Sequence, residues 1–152
     1  MADVHIRPAV ANDLSRVSDF LTENKLPTNG VDKCIGNFMV AEDKEGSWVG
    51  IAGFELYGKS GLLRSVAVDE RFRGMGQGRA LVDAVLRSVK AKGVDTVYLL
   101  TDNAEAYFGG LGFEVVDRGD IDDAVKASVE FGEMCASAVA MRKALKQRLS
   151  RG

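Results

Sequence analysis

Leu62-Leu63-Arg64-Ser65-Val66-Ala67-Val68-Asp69-Glu70-Arg71-Phe72-Arg73-Gly74-Met75-Gly76-Gln77-Gly78-Arg79-Ala80-Leu81 runs from an apolar strand, through a charged loop, into a glycine-rich turn that opens a helix. Such a turn aims several backbone N–H groups at one point, at the positive end of the helix dipole. It makes a seat for a phosphate or diphosphate. Arg73 and Arg79 flank the seat and add charge-assisted hydrogen bonds. Two nucleotide-binding patterns compete for the stretch. The P-loop fails because no Gly-Lys-Ser/Thr follows the glycines. The Rossmann fingerprint finds its strand, helix and second strand, with Asp102 near that strand's end. Its third glycine comes one position early in Gly74-Met75-Gly76-Gln77-Gly78, however, and Arg79 stands where it needs a small residue.

Outward from this stretch, periodicity supplies the other elements. Leu81, Val82, Val85, Leu86 and Val89 make one apolar face of a helix from Gly78 to Lys92, stopped by Gly93. Upstream, Val4 to Arg7 reads as a strand ended by Pro8. Leu14, Val17, Phe20 and Leu21 set a helix over 13–24, capped by Asn12 or Asp13. A second short helix covers Val31 to Gly36. Phe38 to Ala41 and Trp48 to Tyr57 are strands joined by an Asp43-Lys44-Glu45-Gly46 turn. Downstream, Val94 to Thr101 is a buried strand. Ala104 to Leu111 is a helix and Phe113 to Val116 a strand. Asp120 caps a helix from Ile121 to Glu130, and Ser137 to Arg142 is the last strand.

Composition narrows the function classes. The chain has 152 residues, 46% hydrophobic and 28% charged, as one globular domain over 1–152 would. A net charge of -2 gives no general attraction to nucleic acid or anionic lipid. No apolar run approaches a membrane span, and the N-terminus has no secretory signal pattern. Cys34 and Cys135 lie far apart without metal-ligand spacing, so no metal and a reduced, cytoplasmic protein are expected.

The glycine stretch resembles the acetyl-CoA signature Arg/Gln-x-x-Gly-x-Gly/Ala of the GNAT N-acetyltransferases, here Arg73-Gly74-Met75-Gly76-Gln77-Gly78. The element order is similar too. The resemblance implies a mixed α/β fold: about seven strands, flanking helices, and a cofactor strand splayed from its neighbour. Ser128 to Lys143 is similar to the ending of a branch that includes arsenic-resistance-associated acetyltransferases and the acetyltransferase module of N-acetylglutamate synthases. Leu62 to Val68, Tyr98-Leu99-Leu100-Thr101 and Phe113 to Arg118 also look like the arsenic-linked members.

That resemblance implies acetyl-CoA as co-substrate and assigns roles. Val66, Ala67 and Val68 would bind the pantetheine arm through their backbone, with a Val66 or Ala67 N–H at the developing oxyanion. Arg73, Gly74, Met75, Gly76, Gln77, Gly78 and Arg79 would wrap the diphosphate. Asn103 matches a polar cofactor-contacting position, although helix capping for 104–111 also explains it. Glu55 is the candidate general base, or an exposed strand-end carboxylate. The family tyrosine that protonates the leaving thiolate falls here on Phe108, a cofactor neighbour. Tyr107 stands one step, about 100°, away round the helix as the weaker candidate acid. Strand alternation places Arg64 on one face with Val66 and Val68. There it would clamp an acidic group of the acceptor bidentately, or pair with a nearby carboxylate.

The leading expectation is transfer of acetyl from acetyl-CoA to a small amino-acid-like amine: a glutamate analogue, or a toxic phosphinate or arsenical amino acid. Acetylation of a protein N-terminus or lysine is the second reading. A CoA-binding sensor without catalysis is the third. A homodimer is a further expectation of the resemblance.

Overall fold

The computed structural model describes residues 4–128 and 138–145. Its strands are β1 (His5–Pro8), β2 (Met39–Glu42), β3 (Trp48–Tyr57), β4 (Ser60–Val68), β5 (Thr96–Thr101), β6 (Glu114–Val115) and β7 (Val139–Ala144). They form one seven-stranded sheet in the order β1-β2-β3-β4-β5-β7-β6. Every neighbouring pair is antiparallel except β4–β5. The helices are α1 (Leu14–Glu23), α2 (Val31–Cys34), α3 (Gln77–Ala91), α4 (Glu105–Gly110) and α5 (Asp123–Lys126). This is the mixed α/β architecture that the sequence implies. None of the described helices is long and apolar enough to cross a membrane.

Alternation along the strands sends side chains to two faces. On one, Leu81, Val82, Val85, Leu86 and Val89 of α3 pack against Val49, Phe54, Leu63 and Leu99. On the other, Val17, Phe20 and Leu21 of α1 pack against Phe38, Val40, Ile51 and Ala67. Each buried Leu, Val or Phe stabilises by roughly 1.5–3 kcal/mol, so both faces anchor the sheet firmly.

One irregularity makes the site. Ile51 pairs with Ala67 and Gly53 with Arg64, so two residues of β4 oppose the single Ala52. Ser65 takes the extra place in a left-handed conformation, φ 59°. A bulge bends its strand and adds twist. Accordingly β4 pairs with β5 only at Ser60↔Thr96, Gly61↔Val97 and Leu62↔Tyr98. Beyond Leu62 the two strands part, β4 staying with β3 while β5 takes β7 up to Thr101↔Val139.

The bulge also corrects the expected face of Arg64. Arg64 reaches the α1–α2 side, where it bonds Pro27 and Asn29. Val66 packs with the α3 cluster, and Val68 lies against Gly78. The extra residue shifts parity by one, so Arg64 does not share a face with Val66 and Val68.

Smaller corrections have local causes. β5 begins at Thr96 because Val94 is folded back on α3, its N–H bonding Val89 O at 3.1 Å. The cap of α5 is Asp122, not Asp120, and its described helix ends at Lys126. The Asp122 carboxylate accepts from the Ser60 and Tyr98 hydroxyls, which fixes where the chain turns into the helix. The expected helix residues Val129 and Glu130, the start of the last strand at Ser137, and Cys135 lie outside the described residues.

Candidate active site

The parted strands open a cleft of about 780 Å³, lined by Leu63 to Val68 on one side and Leu99 to Ala104 on the other. Asn24, Lys25, Leu26 and Pro27, from the connection between α1 and α2, add a third wall. A second groove of about 700 Å³ runs from Gly74, Gly76, Gln77, Gly78 and Arg79 toward Tyr107 and Leu111. Both spaces are lined by Val66, Val68, Arg73, Ala104 and Phe108. The first turn of α3 therefore stands at one end of a path that the edge of β4 continues.

At the α3 end, backbone geometry does the work. Gly76 is the N-cap of α3 with φ 79°, a left-handed conformation that glycine adopts without strain. The N–H groups of Gln77 and the residues after it precede the first intrahelical acceptors and point out of the helix end. Gly78 is buried, and a Cβ there would collide with the Tyr107 hydroxyl. The side chain of Met75 is 61% exposed and lines neither space. Arg73 donates through Nε to Val68 O at 3.1 Å, tying the loop back to β4. Asp69 is held below the usual carboxylate range by its bonds from Arg71.

At the opposite end the contacts come from side chains. The Arg64 side chain is wholly inaccessible and lies 2.7 Å from Glu55 Oε2. The other Glu55 oxygen accepts from the Tyr57 hydroxyl at 2.5 Å. Burial, reinforced by Glu55, pushes the Tyr57 phenol up to about 12. Arg64 lines the main cleft, whereas Glu55 lines a separate cavity of about 470 Å³ with Gly30, Cys34 and Tyr57. The pairing of Arg64 with a nearby carboxylate is thus present, and that carboxylate is the candidate base itself.

The helical offset separates the two candidate aromatics. Phe108 is buried against Phe113 and faces both spaces. Tyr107 lines only the α3 groove, its hydroxyl over Gly78. Burial raises the Tyr107 phenol, with the Arg79 cation opposing. Asn103 lines the main cleft but does not cap α4, whose N-cap is Ala104 without a side-chain capping bond; Thr101 Oγ1 instead accepts from Ala104 N at 3.0 Å, just before the helix. Sequence reading missed Tyr57, Lys25 and the whole wall made by residues 24–27. Lys25 has a left-handed φ of 60° with no glycine to signal it.

The chain matches the Acetyltransferase (GNAT) domain family over residues 35–115. It is 31% identical over 126 residues to an uncharacterized N-acetyltransferase of Chlorobaculum tepidum, covering 77% of this chain and 79% of that protein. It is 32% identical over 108 residues to an amino-acid acetyltransferase of Mycobacterium tuberculosis, covering 69% of this chain and 59% of that one. In three dimensions it is similar to the N-acetylglutamate synthase of Neisseria gonorrhoeae, solved with coenzyme A and N-acetyl-glutamate. The TM-score is 0.80 at 17% identity, over 97% of this chain and 36% of the synthase chain.

Proposed function

Because this chain belongs to the GNAT acetyltransferase family, we propose that the amine it acetylates is that of a small amino acid. The chain is an acyltransferase with acetyl-CoA as its co-substrate. Bound there, acetyl-CoA supplies an activated acetyl thioester. The residues fit such a molecule. The α3 helix end, with Gly74, Gly76, Gln77 and Gly78, offers N–H donors for the diphosphate, and Arg73 and Arg79 offer cations. The free edge of β4 at Val66, Ala67 and Val68 offers main-chain groups for an extended amide-bearing arm. Phe108 supplies an apolar surface between the two spaces. Tyr107, over Gly78, serves the diphosphate end rather than the reacting end, so the thiolate takes its proton from water.

The acceptor reading rests on the composition of the main cleft. It presents a cation from Lys25 and an anion from Asp102, on different walls. A free amino acid, with one carboxylate and one amine, matches that mixture of charges. The likeness to an amino-acid acetyltransferase supports the same choice. A homodimer belongs to this reading, and a monomer mass by light scattering would remove that part.

The experiment is thiol release from acetyl-CoA with a panel of acceptors: free amino acids with acidic side chains, their phosphinate and arsenical analogues, the matching α-amides, and peptides with free N-termini. Turnover is expected with free amino acids and weakens for the α-amides. Acetylation of peptides alone would overturn the reading in favour of a protein acceptor. CoA binding without turnover of any amine would overturn it in favour of a sensor.

A further inference from the structure

Arg64 is an ion without access to solvent, and a buried ion is stable only where its hydrogen bonds are met. Its bonds are specific. Nη1 donates to Glu55 Oε2 and to the Asn29 carbonyl, each at 2.7 Å. Nη2 donates to the Pro27 carbonyl at 3.3 Å, and Nε to Ser65 Oγ at 3.0 Å. One planar guanidinium thus joins β3, the bulge of β4 and the connection between α1 and α2. That connection carries left-handed turns at Lys25 and Gly30 and a proline between them. Its conformation is not one that a regular ladder of backbone bonds could hold. Yet Asn24, Lys25, Leu26 and Pro27 form one wall of the main cleft, the one across from β5, where the acceptor would lie if the cofactor arm follows β4.

We propose that Arg64 is a positioning residue for the acceptor: it sets the wall made by residues 24–27 through the Pro27 and Asn29 carbonyls, with Glu55 as its counter-ion rather than the base. A direct clamp on an acceptor carboxylate would require Arg64 to leave those carbonyls. A base role would require Glu55 to face a space other than the one it lines. The inference rests on the acetyltransferase reading but not on which amine is acetylated.

Its test uses Arg64→Gln, Arg64→Lys and Glu55→Gln in the full chain. Lysine keeps a cation beside Glu55 but cannot span two carbonyls. Hydrogen exchange without any ligand should speed up over residues 24–31 in both Arg64 variants by about tenfold or more beyond any general increase seen over α3. With acceptor present, the acceptor KM should rise about tenfold, equally for a carboxylate and its amide, while the acetyl-CoA KM stays within about twofold. Glu55→Gln should retain the acidic limb of the kcat/KM profile. Normal exchange over 24–31, with a KM rise confined to carboxylate acceptors, would make Arg64 a direct clamp and overturn the proposal. Loss of the acidic limb, with kcat down about a hundredfold in Glu55→Gln, would make Glu55 the base. If Arg64→Gln does not fold, Arg64→Lys decides by the same readings. The exchange arm needs no acceptor, so it stands or falls apart from the choice of amine.

Discussion

At the α3 end of the cleft, the groups that can hold a ligand are mostly main-chain groups, with the Arg73 and Arg79 cations beside them: the first turn of α3, the left-handed Gly76, the edge of β4 that no described strand pairs beyond Leu62. At the α1–α2 end they are side chains locked to one another, Arg64 to Glu55 and Glu55 to Tyr57. A main-chain site tolerates most side-chain changes and fails only where an added atom blocks the approach. A side-chain network fails when any one member leaves a buried partner unmet. The two ends should therefore answer mutation in opposite ways.

The largest effect should come from Glu55→Ala, which leaves Arg64 buried without its counter-ion. Breaking such a pair costs about 3–5 kcal/mol, a fall in Tm of about 10 °C or more for a chain of this size. Calorimetry reads it directly. A fall of only one or two degrees would show that water reaches the pair, and the contrast between the two ends would be lost.

Next comes Gly78→Val, which puts atoms where Tyr107 now approaches α3. The kcat/KM for acetyl-CoA should drop about a hundredfold, close to 2.7 kcal/mol of transition-state stabilisation. Met75→Ala, in the same turn but with an exposed side chain, should stay within about twofold. Equal losses in the two variants would mean that side chains, not amides, grip the ligand.

Tyr57→Phe removes a hydrogen bond to a charged partner and should cost about 1–2 kcal/mol at neutral pH. The Tyr57 phenol is raised to about 12 in the folded state, against about 10 unfolded. Its contribution is therefore complete below about pH 10 and is lost as pH rises through 12. Stability measured from pH 9 to 12 should decline less steeply in the variant. An unchanged slope would place Tyr57 outside the network.

The smallest effect belongs to a pair remote from both ends. Arg7 holds the Asp13 carboxyl below its ordinary range. That contribution is present above the unfolded value near 4 and is lost as pH falls through the lower folded value. Asp13→Asn should cost about 0.5–1 kcal/mol at neutral pH and flatten the acid limb of stability. Acetyl transfer should not change, and a change would tie the β1 end of the sheet to the cleft.

The same division governs what the sequence disclosed. The turn at 74–78 and the apolar face of α3 follow from spacing within a few residues, so both could be read directly. The separation of Tyr107 from Phe108 followed from helical arithmetic alone. The faces of β4 did not, because Ser65 adopts a left-handed φ that its residue type does not announce. That single residue reverses the parity of everything after it. The Arg64–Glu55 bond depends on cross-strand register, since Arg64 pairs with Gly53 and Glu55 with Leu62. Two strands read separately cannot supply that register. The wall at 24–27 was invisible for a related reason: a distant side chain holds the carbonyls of Pro27 and Asn29 in its connection.

The most direct measurement is residue-level amide exchange of the full chain with and without CoA. Protection is predicted at Val66–Val68 and through Gly74–Ala80, with no comparable change on the outer face of α3. If CoA binds and those amides exchange as fast as before, the main chain does not hold it and the account of the site is wrong.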